Sequence, residues 1–360
     1  MAKYKTFIEI TVFMYFNKPS IDFVVIFIVR TYLIRHFDPF GSSLMQFATL
    51  NLMDLSKNTR FVKNTAGSLG FDYCGIAKAA FMDEDARRLE KWLQNGYHGK
   101  MQYMENHFDL RTDPTKLVPG AKSVITLMQN YYPKQLQTTD GPQISKYAYG
   151  KDYHEIIRAK LNEFLSRIRE NIGAIAGRGF VDSAPVLERS WAARSGLGWV
   201  GKNGNLITRQ SGSFNFIATL ITDLELEADD PFAKDYCGSC TRCIASCPTG
   251  AILPEKVIQA NKCITYFTIE LKDELLPEEM KGKFENWAFG CDICQDVCPW
   301  NRFSVPNHVE AFEPLSEIMN LSTKEWEEMS EEMFRKIFKY SPIKRTKWKG
   351  IQRNLKFLKD

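Results

Sequence analysis

The 360-residue chain contains no apolar run long enough to cross a bilayer. Its best candidate, IDFVVIFIV, is bounded by Asp22 and Arg30, far below the ~20 residues a membrane helix needs. No small-residue cleavage site follows it, so it makes a poor export leader. Internal repeats are absent. Excess charge is small: 47 Lys and Arg against 43 Asp and Glu leave +4, too little for the overall balance to name a partner. Nothing suggests an oxidising compartment. Disulfide frameworks belong mostly to small secreted chains, whereas these nine cysteines sit in a long one without a signal peptide. Residues 1–44 differ in character from the rest, and Met45 opens a normal amphipathic start. They are expected to be an atypical apolar extension that the chemistry does not need.

What is present is concentrated. Cys237, Cys240, Cys243 and Cys247 follow the spacing C-x-x-C-x-x-C-x-x-x-C-P. In bacterial ferredoxins such a run gives three ligands to one 4Fe–4S cluster and its fourth cysteine to the other cluster. A second run must then exist, and CDICQDVCPW supplies Cys291, Cys294 and Cys298. That run is one thiol short, and the nearest upstream candidate is Cys263 in NKCITYF. The crossing rule predicts one cluster on Cys237, Cys240, Cys243 and Cys298. It predicts the other on Cys247, Cys263, Cys291 and Cys294. A zinc ribbon wants two separated pairs, not a triple run ending in Cys-Pro. The leftover Cys74 lies in an apolar segment and reads as a buried thiol.

The rest of the chain reads as α+β. SVITLMQNYY and FNFIATLITDLEL have the character of strands, and RFVKNTAGSLG that of a helix closing at a glycine. KDYHEIIRAKLNEFLSRIRE places Tyr153, Ile156, Ile157, Leu161, Phe164, Leu165 and Ile168 on one helical face. The expected organisation is a catalytic α/β-like domain over 45–228, a two-cluster ferredoxin-like domain over 229–301 and a helical, basic segment over 302–360. Ten Lys and Arg stand without an acid between Arg335 and Lys359. Such a block is either a solvated helix face or a patch for a polyanion. Paired clusters move single electrons, so the first domain should supply the chemistry.

Two motifs mislead. GLGWVG aligns Gly196, Gly198 and Gly201 as G-x-G-x-x-G, but no strand precedes it and no suitable helix follows, so the dinucleotide fingerprint fails. These glycines are expected instead to let backbone pass close to another flat, bulky ligand. DYHEII begins like the D-x-H-x-x-G of cobalamin proteins, yet Ile157 stands where glycine belongs. His154 is therefore expected to be a surface or packing residue of its helix.

CGSCTRCIASCPTGAI, GCDICQDVCPWN, VDSAPVLERSWAARSGLGWVGKN, RTDPTKLVPGAKSVI and YGKDYH together resemble the epoxyqueuosine reductases, over about residues 50 to 355. The resemblance implies a fold similar to reductive dehalogenases, with a cobalamin-binding domain beside two 4Fe–4S clusters. It implies reduction of the epoxide of epoxyqueuosine, at the wobble position of tRNA, to the alkene of queuosine. Asp182 is implied as proton donor, and its flanks Phe180, Val181, Ala184 and Pro185 should raise its pKa toward the working pH. The bland alternative makes Asp182 a helix N-cap, with Glu188 and Arg189 a helix-face pair. Cobalamin contacts are implied at Arg111, Ser145, Asp182, Lys202, Asn203, Leu206, Thr265 and Asp292. Ser145 stands where some members have cysteine, so no thiol is offered to cobalt there. The expected partners are tRNA carrying epoxyqueuosine and an external electron donor, in the cytoplasm and without a membrane. Three rivals stand beside this reading: a reductive dehalogenase, which would usually carry a twin-arginine signal, a plain two-cluster electron-transfer protein, and a cluster-carrying subunit of a larger complex.

Overall fold

The structure, a computed structural model, describes residues 10–14, 25–29, 41–138 and 141–359, with side chains from 54 onward. Residues 1–52 and 53–360 form two separate units. In the first, Ile10–Met14 pairs antiparallel with Val25–Val29. The expectation for residues 1–44 lies mostly outside the described residues. No helix among the described residues is long and apolar enough to cross a membrane.

The second unit is built on a four-stranded antiparallel sheet in the order Tyr73–Lys78, Ser123–Asn130, Asn215–Thr222, Gly177–Phe180. The strands are rich in Val, Ile, Thr and Phe, which suit a pleated, buried surface. Successive side chains turn to opposite faces. Ile76, Ile125, Leu127 and Leu220 join one core, while Ala77, Val124, Phe180 and Ile221 join another. Helix Tyr153–Ile172 covers the first face with Tyr153, Ile157, Leu161, Phe164 and Ile168 buried and Ile156 and Leu165 partly so, as its periodicity predicts. Val62 and Ala66, from the second-unit part of helix Gly41–Ser68, join the same core, and the helix closes as expected: Gly70 sits at φ 77 and Phe71 N–H donates to the Ala66 carbonyl. On the second face lies the short helix Glu188–Arg194, with Trp191 buried. Cys74 is on the edge strand, where burial pushes its thiol up to about 12.

The thiol-bearing segment is knitted to this sheet domain. Trp287–Phe289 pairs in parallel with Gln143–Ile144. The C-terminal segment is also no loose tail. Trp326, Phe334, Phe338, Ile343, Ile351 and Leu355 close a core together with Ile144, Tyr149, Ala288 and Phe289. Buried Asn354 donates to the carbonyls of Thr268 and Ala288, and Thr346 donates to Thr268 as well. Residues expected as three successive segments after 45 thus share interfaces throughout.

Candidate active site and thiol array

Asp152 caps helix Tyr153–Ile172, its carboxylate accepting from His154 N–H. The cap places Tyr153 and His154 in the first turn, where both reach the loop after strand Gly177–Phe180. Tyr153 Oη donates to Asp182 Oδ2 at 2.8 Å, and His154 Nε2 lies 3.2 Å from the same oxygen. The other imidazole nitrogen, Nδ1, lies 2.8 Å from Asp152 Oδ1, so a protonated His154 donates to a carboxylate on each side. Tyr153 is stacked between Phe216 and the His154 ring, each with a centroid separation of 4.1 Å. The phenol therefore has little freedom to turn away.

Asp182 itself has φ 54, a left-handed conformation uncommon outside glycine, which Asp tolerates better than most residues. Its N–H donates to Glu188 Oε1 at 2.9 Å, which fixes the loop in that conformation. The Asp182 side chain is 48% exposed, whereas that of Asp152 is only 10% exposed. The site thus presents one accessible carboxylate held by Tyr153 and His154, on a loop held by Glu188.

The electrostatics reverse one expectation. Burial among the flanking residues does push the Asp182 carboxyl up, but hydrogen bonds from His154 and Tyr153, with the charges of His154 and Arg345, outweigh it. The pKa therefore falls below the ordinary carboxylate value instead of rising. The elevated groups are its neighbours. Burial alone would lower the His154 imidazolium, yet the two carboxylates hold it at about 9. Burial and the Asp182 charge lift Glu188 to about 8. Asp182 is not a helix N-cap either: the helix begins at Glu188, with Leu187 at the cap position. His154, expected on a helix surface, is instead the residue that joins the two carboxylates. The sequence signal was Asp152 two positions before it, a cap whose geometry pins the first turn.

The implied cofactor contacts separate into two kinds. Arg111 is buried and gives one N–H to the Tyr103 carbonyl, while its Nε has no partner. Tyr103, 47% exposed, lies in the field of Arg345, Glu270 and Asp182. An unpartnered guanidinium nitrogen and an accessible carboxylate thus stand in one neighbourhood, and both fit a large ligand bearing amides and phosphate such as cobalamin. The remaining residues are held by the protein. Ser145 Oγ donates to Asp292 Oδ1, and the Lys146 backbone N–H donates to Oδ2 of that carboxylate. Lys202 Nζ donates to the carbonyls of Gly238 and Cys240, and Asn203 Nδ2 to that of Cys294. Leu206 packs with Met128 and Ala192. Thr265 hydrogen-bonds the Cys263 thiol. The glycines of GLGWVG offer no ligand cradle: a Cβ on Gly196 would strike the Asp230 carbonyl, on Gly198 the Ile207 carbonyl, and on Gly201 the Ile207 side chain. Backbone does pass close, but it is the protein's own.

The thiols fall into two neighbouring groups. Cys298 lies in electrostatic range of Cys237 and Cys240, and Cys243 of Cys237 and Cys298. Cys263 is in range of Cys247, Cys291 of Cys263 and Cys294, and Cys294 of Cys263 and Cys247. Cys294 also senses Cys243, so the two sets adjoin. All of these cysteines are free thiols. No three His, Cys, Asp or Glu side chains among the described residues converge as a single metal ion would require. Instead Cys237, Cys240, Cys243 and Cys298 line a cavity of about 250 Å3, which suits an inorganic unit larger than one ion. The second set lies inward. Cys263 and Cys291 pack on the core of Ile264, Tyr266, Phe267 and Trp287. Asp292, beside Cys291, is in range of Tyr147, which is in turn in range of Asp182. Electrostatic neighbours thus run from the outer thiols through the inner thiols to Asp292, Tyr147 and Asp182.

An α+β domain with an acid site, joined to a double set of crossed thiols, defines an iron–sulfur oxidoreductase with two clusters. Comparison with known proteins narrows the class. Residues 111–183 match the family described as "Epoxyqueuosine reductase QueG, DUF1730", and residues 236–301 match the "4Fe-4S double cluster binding domain". The epoxyqueuosine reductase of Cyclobacterium marinum is 58% identical over 308 residues, covering 85% of this chain and 98% of that protein. That of Cellulophaga algicola is 55% identical over 303 residues, covering 84% and 98%. A crystal structure of epoxyqueuosine reductase with an epoxyqueuosine-modified tRNA-Tyr stem loop superposes with a TM-score of 0.77 at 30% identity, covering 83% of this chain and 80% of that one. The Bacillus subtilis enzyme, solved with an aspartate-bearing catalytic loop swung out of its active site, gives 0.76 at 29% identity, with the same coverage. The chain belongs to the epoxyqueuosine reductase family.

Proposed function

We infer that this protein reduces the epoxide of epoxyqueuosine, at the wobble position of tRNA, to the alkene of queuosine. Beyond family membership, one observation carries the reading: an accessible carboxylate, backed by two proton-holding groups, lies at the inner end of the double thiol array. Converting an epoxide to an alkene takes two electrons and two protons and releases the oxygen as water. Bound cobalamin would supply electrons at the low potential that C–O cleavage needs, and two 4Fe–4S clusters would feed it singly. The thiols named above would hold the clusters, and Arg111 and Asp182 would contact cobalamin. The electrons would come from an external donor, in the cytoplasm where tRNA is found.

The chain's own residues manage the protons. Asp182 would meet the leaving oxygen, and His154 Nε2 can pass a proton to Asp182 Oδ2. Such a relay keeps Asp182 as donor although its own pKa is low, because the proton is stored one hydrogen bond away. Tyr153 orients the carboxylate. Glu188, neutral over much of the physiological range, is a further store beside the same loop.

The test is turnover of epoxyqueuosine-tRNA by anaerobically reconstituted protein, read by mass spectrometry of the released nucleosides. Queuosine is the expected product. Protein that binds corrinoid and both clusters yet forms none would overturn the reading.

A further inference from the structure

We propose that the face around the outer thiols, rimmed by Arg209, Arg242 and Arg302, is the docking surface for a small acidic protein that delivers electrons singly. The proposal rests on the function inferred above and concerns the donor that this function leaves open.

Four observations carry it. The cavity lined by Cys237, Cys240, Cys243 and Cys298 has Arg242 and Arg302 in its wall, and both arginines are exposed. A second, larger hollow of about 700 Å3 adjoins it and shares Arg242, Cys298, Pro299 and Arg302. The surface is thus concave on both sides of the Cys298–Pro299 corner. None of the three arginines makes an ion pair among the described residues. Arg209 lies over the Tyr236 ring at 5.3 Å, and Arg302 over Phe303 at 4.1 Å. Two acids of the neighbourhood have partners of their own: Asp235 pairs with Lys256, and Asp296, which lines the larger hollow, pairs with Lys146. Finally, Phe303 and Val305 are 38% and 57% exposed beside the same corner.

Unpaired arginines around a small aromatic and aliphatic spot, over thiols that lie near the surface, suit a brief and electrostatically guided encounter. Interfaces of electron-transfer pairs are small, and charge complementarity sets their rate of association. RNA is a poorer occupant here. The carboxylate it must reach lies in the field of Arg345 and His154, and none of these three residues lines either hollow. Each visit would oxidise the carrier by one electron. Two visits would supply the pair that one epoxide consumes, and the two protons would enter from solvent at the acid site.

The probe is a flavodoxin of strongly negative net charge, titrated against the iron-loaded holoenzyme at low and moderate salt. Binding should weaken as salt rises. The double variant Arg242→Glu, Arg302→Glu should bind about tenfold more weakly at low salt, within the range that steering commands. Arg242→Gln, Arg302→Gln should fall between that variant and the wild type. Iron content, and turnover with dithionite-reduced methyl viologen, should stay at the wild-type level. Unchanged flavodoxin affinity would overturn the proposal, and so would a variant that weakens tRNA binding instead. Iron loss in both variants would also overturn it, by showing that the arginines only support the thiol array. If the wild type binds flavodoxin but makes no queuosine with viologen, the inferred function fails while the docking result stands.

Discussion

Two regions of the molecule carry different chemistry. At the outer end, four thiols line an open cavity beside unpaired arginines. No carboxylate lines that cavity. At the inner end, Asp182 is gripped by Tyr153, His154 and Glu188, with Arg345 close by. There nearly every polar atom has a proton-sharing partner. Between them lie the inner thiols, partly sealed by aromatic side chains. On the function proposed above, electrons would enter at the thiols and protons at the acid site, by separate sets of residues. A disturbance at one end should therefore leave the other end's signature intact.

The largest expected effect breaks the inner end alone. Asp182→Asn cannot receive and pass on a proton, and should lose about 10²–10⁴ in rate, the usual worth of general acid catalysis. Iron content and the visible spectrum of the clusters should not change. A wild-type rate with viologen as reductant would remove Asp182 from the chemistry.

Breaking the outer end should show the crossing of the ligands. Cys298→Ser should leave about four of about eight irons, because its partners are Cys237, Cys240 and Cys243 and not its sequence neighbours. The inner set should still assemble. Iron and sulfide analysis with electron paramagnetic resonance of the reduced variant checks this. Loss of the Cys291–Cys294 cluster in its place would mean that the ligands are not crossed.

The ends also differed in how far the sequence revealed them. The double-cluster domain was legible because ferredoxin-like ligands come in short runs with fixed spacing. The amphipathic helix Tyr153–Ile172 was legible for a similar reason, since its period is local. The acid site is assembled from segments about thirty residues apart, and its electrostatics depend on which of them meet. The apolar flanks of Asp182 pointed to a raised pKa, but the decisive neighbour, His154, comes from another element. GLGWVG misled in the same way, because what fills the space above its glycines comes from Ile207 and Asp230. The C-terminal block looked unbalanced because its acids lie elsewhere in the chain: Lys344 pairs with Asp152 and Glu155, Arg345 with Glu270, and Lys359 with Glu327.

A smaller effect sharpens the inner end. His154 has a folded pKa of about 9 against an ordinary 6.5. Protonated His154 therefore stabilises the fold fully below pH ~6.5, and this contribution is lost as pH rises through about 9. His154→Gln should melt at a lower temperature than wild type at pH 6, with the gap narrowing toward pH 10. Its rate should fall roughly tenfold and lose the alkaline decline between about pH 8 and 10 that wild type should show. A constant melting gap across that range would mean that His154 only fills space.

The smallest effect concerns the tRNA, and it follows from which basic residues the fold leaves free. Arg335, Lys344, Arg345 and Lys359 form ion pairs within the chain, and Arg353 is spent on the carbonyls of Phe267, Leu271 and Asp273. Trp348 packs into the C-terminal core and donates to the Met329 carbonyl, so it is not available for stacking on a base. Lys336, Lys339, Lys347, Lys349 and Lys356 remain exposed and without ion pairs among the described residues; of these Lys347 and Lys349 stand nearest in sequence to Arg345, whose charge acts on Asp182. An anticodon loop brought to Asp182 would carry its flanking phosphates past this segment. Each phosphate contact on a single strand contributes about 0.7 to the slope of log affinity against log salt. Lys347→Gln with Lys349→Gln should therefore flatten that slope by about 1.4 and weaken binding severalfold at low salt, with flavodoxin binding and iron content unaltered. Lys344→Gln should act differently, loosening the Asp152 carboxylate that holds His154 and shifting the pH profile more than the salt slope. If the double variant keeps the wild-type slope in a filter-binding titration, the segment is a solvated helix face and the RNA lies along another path to the same carboxylate.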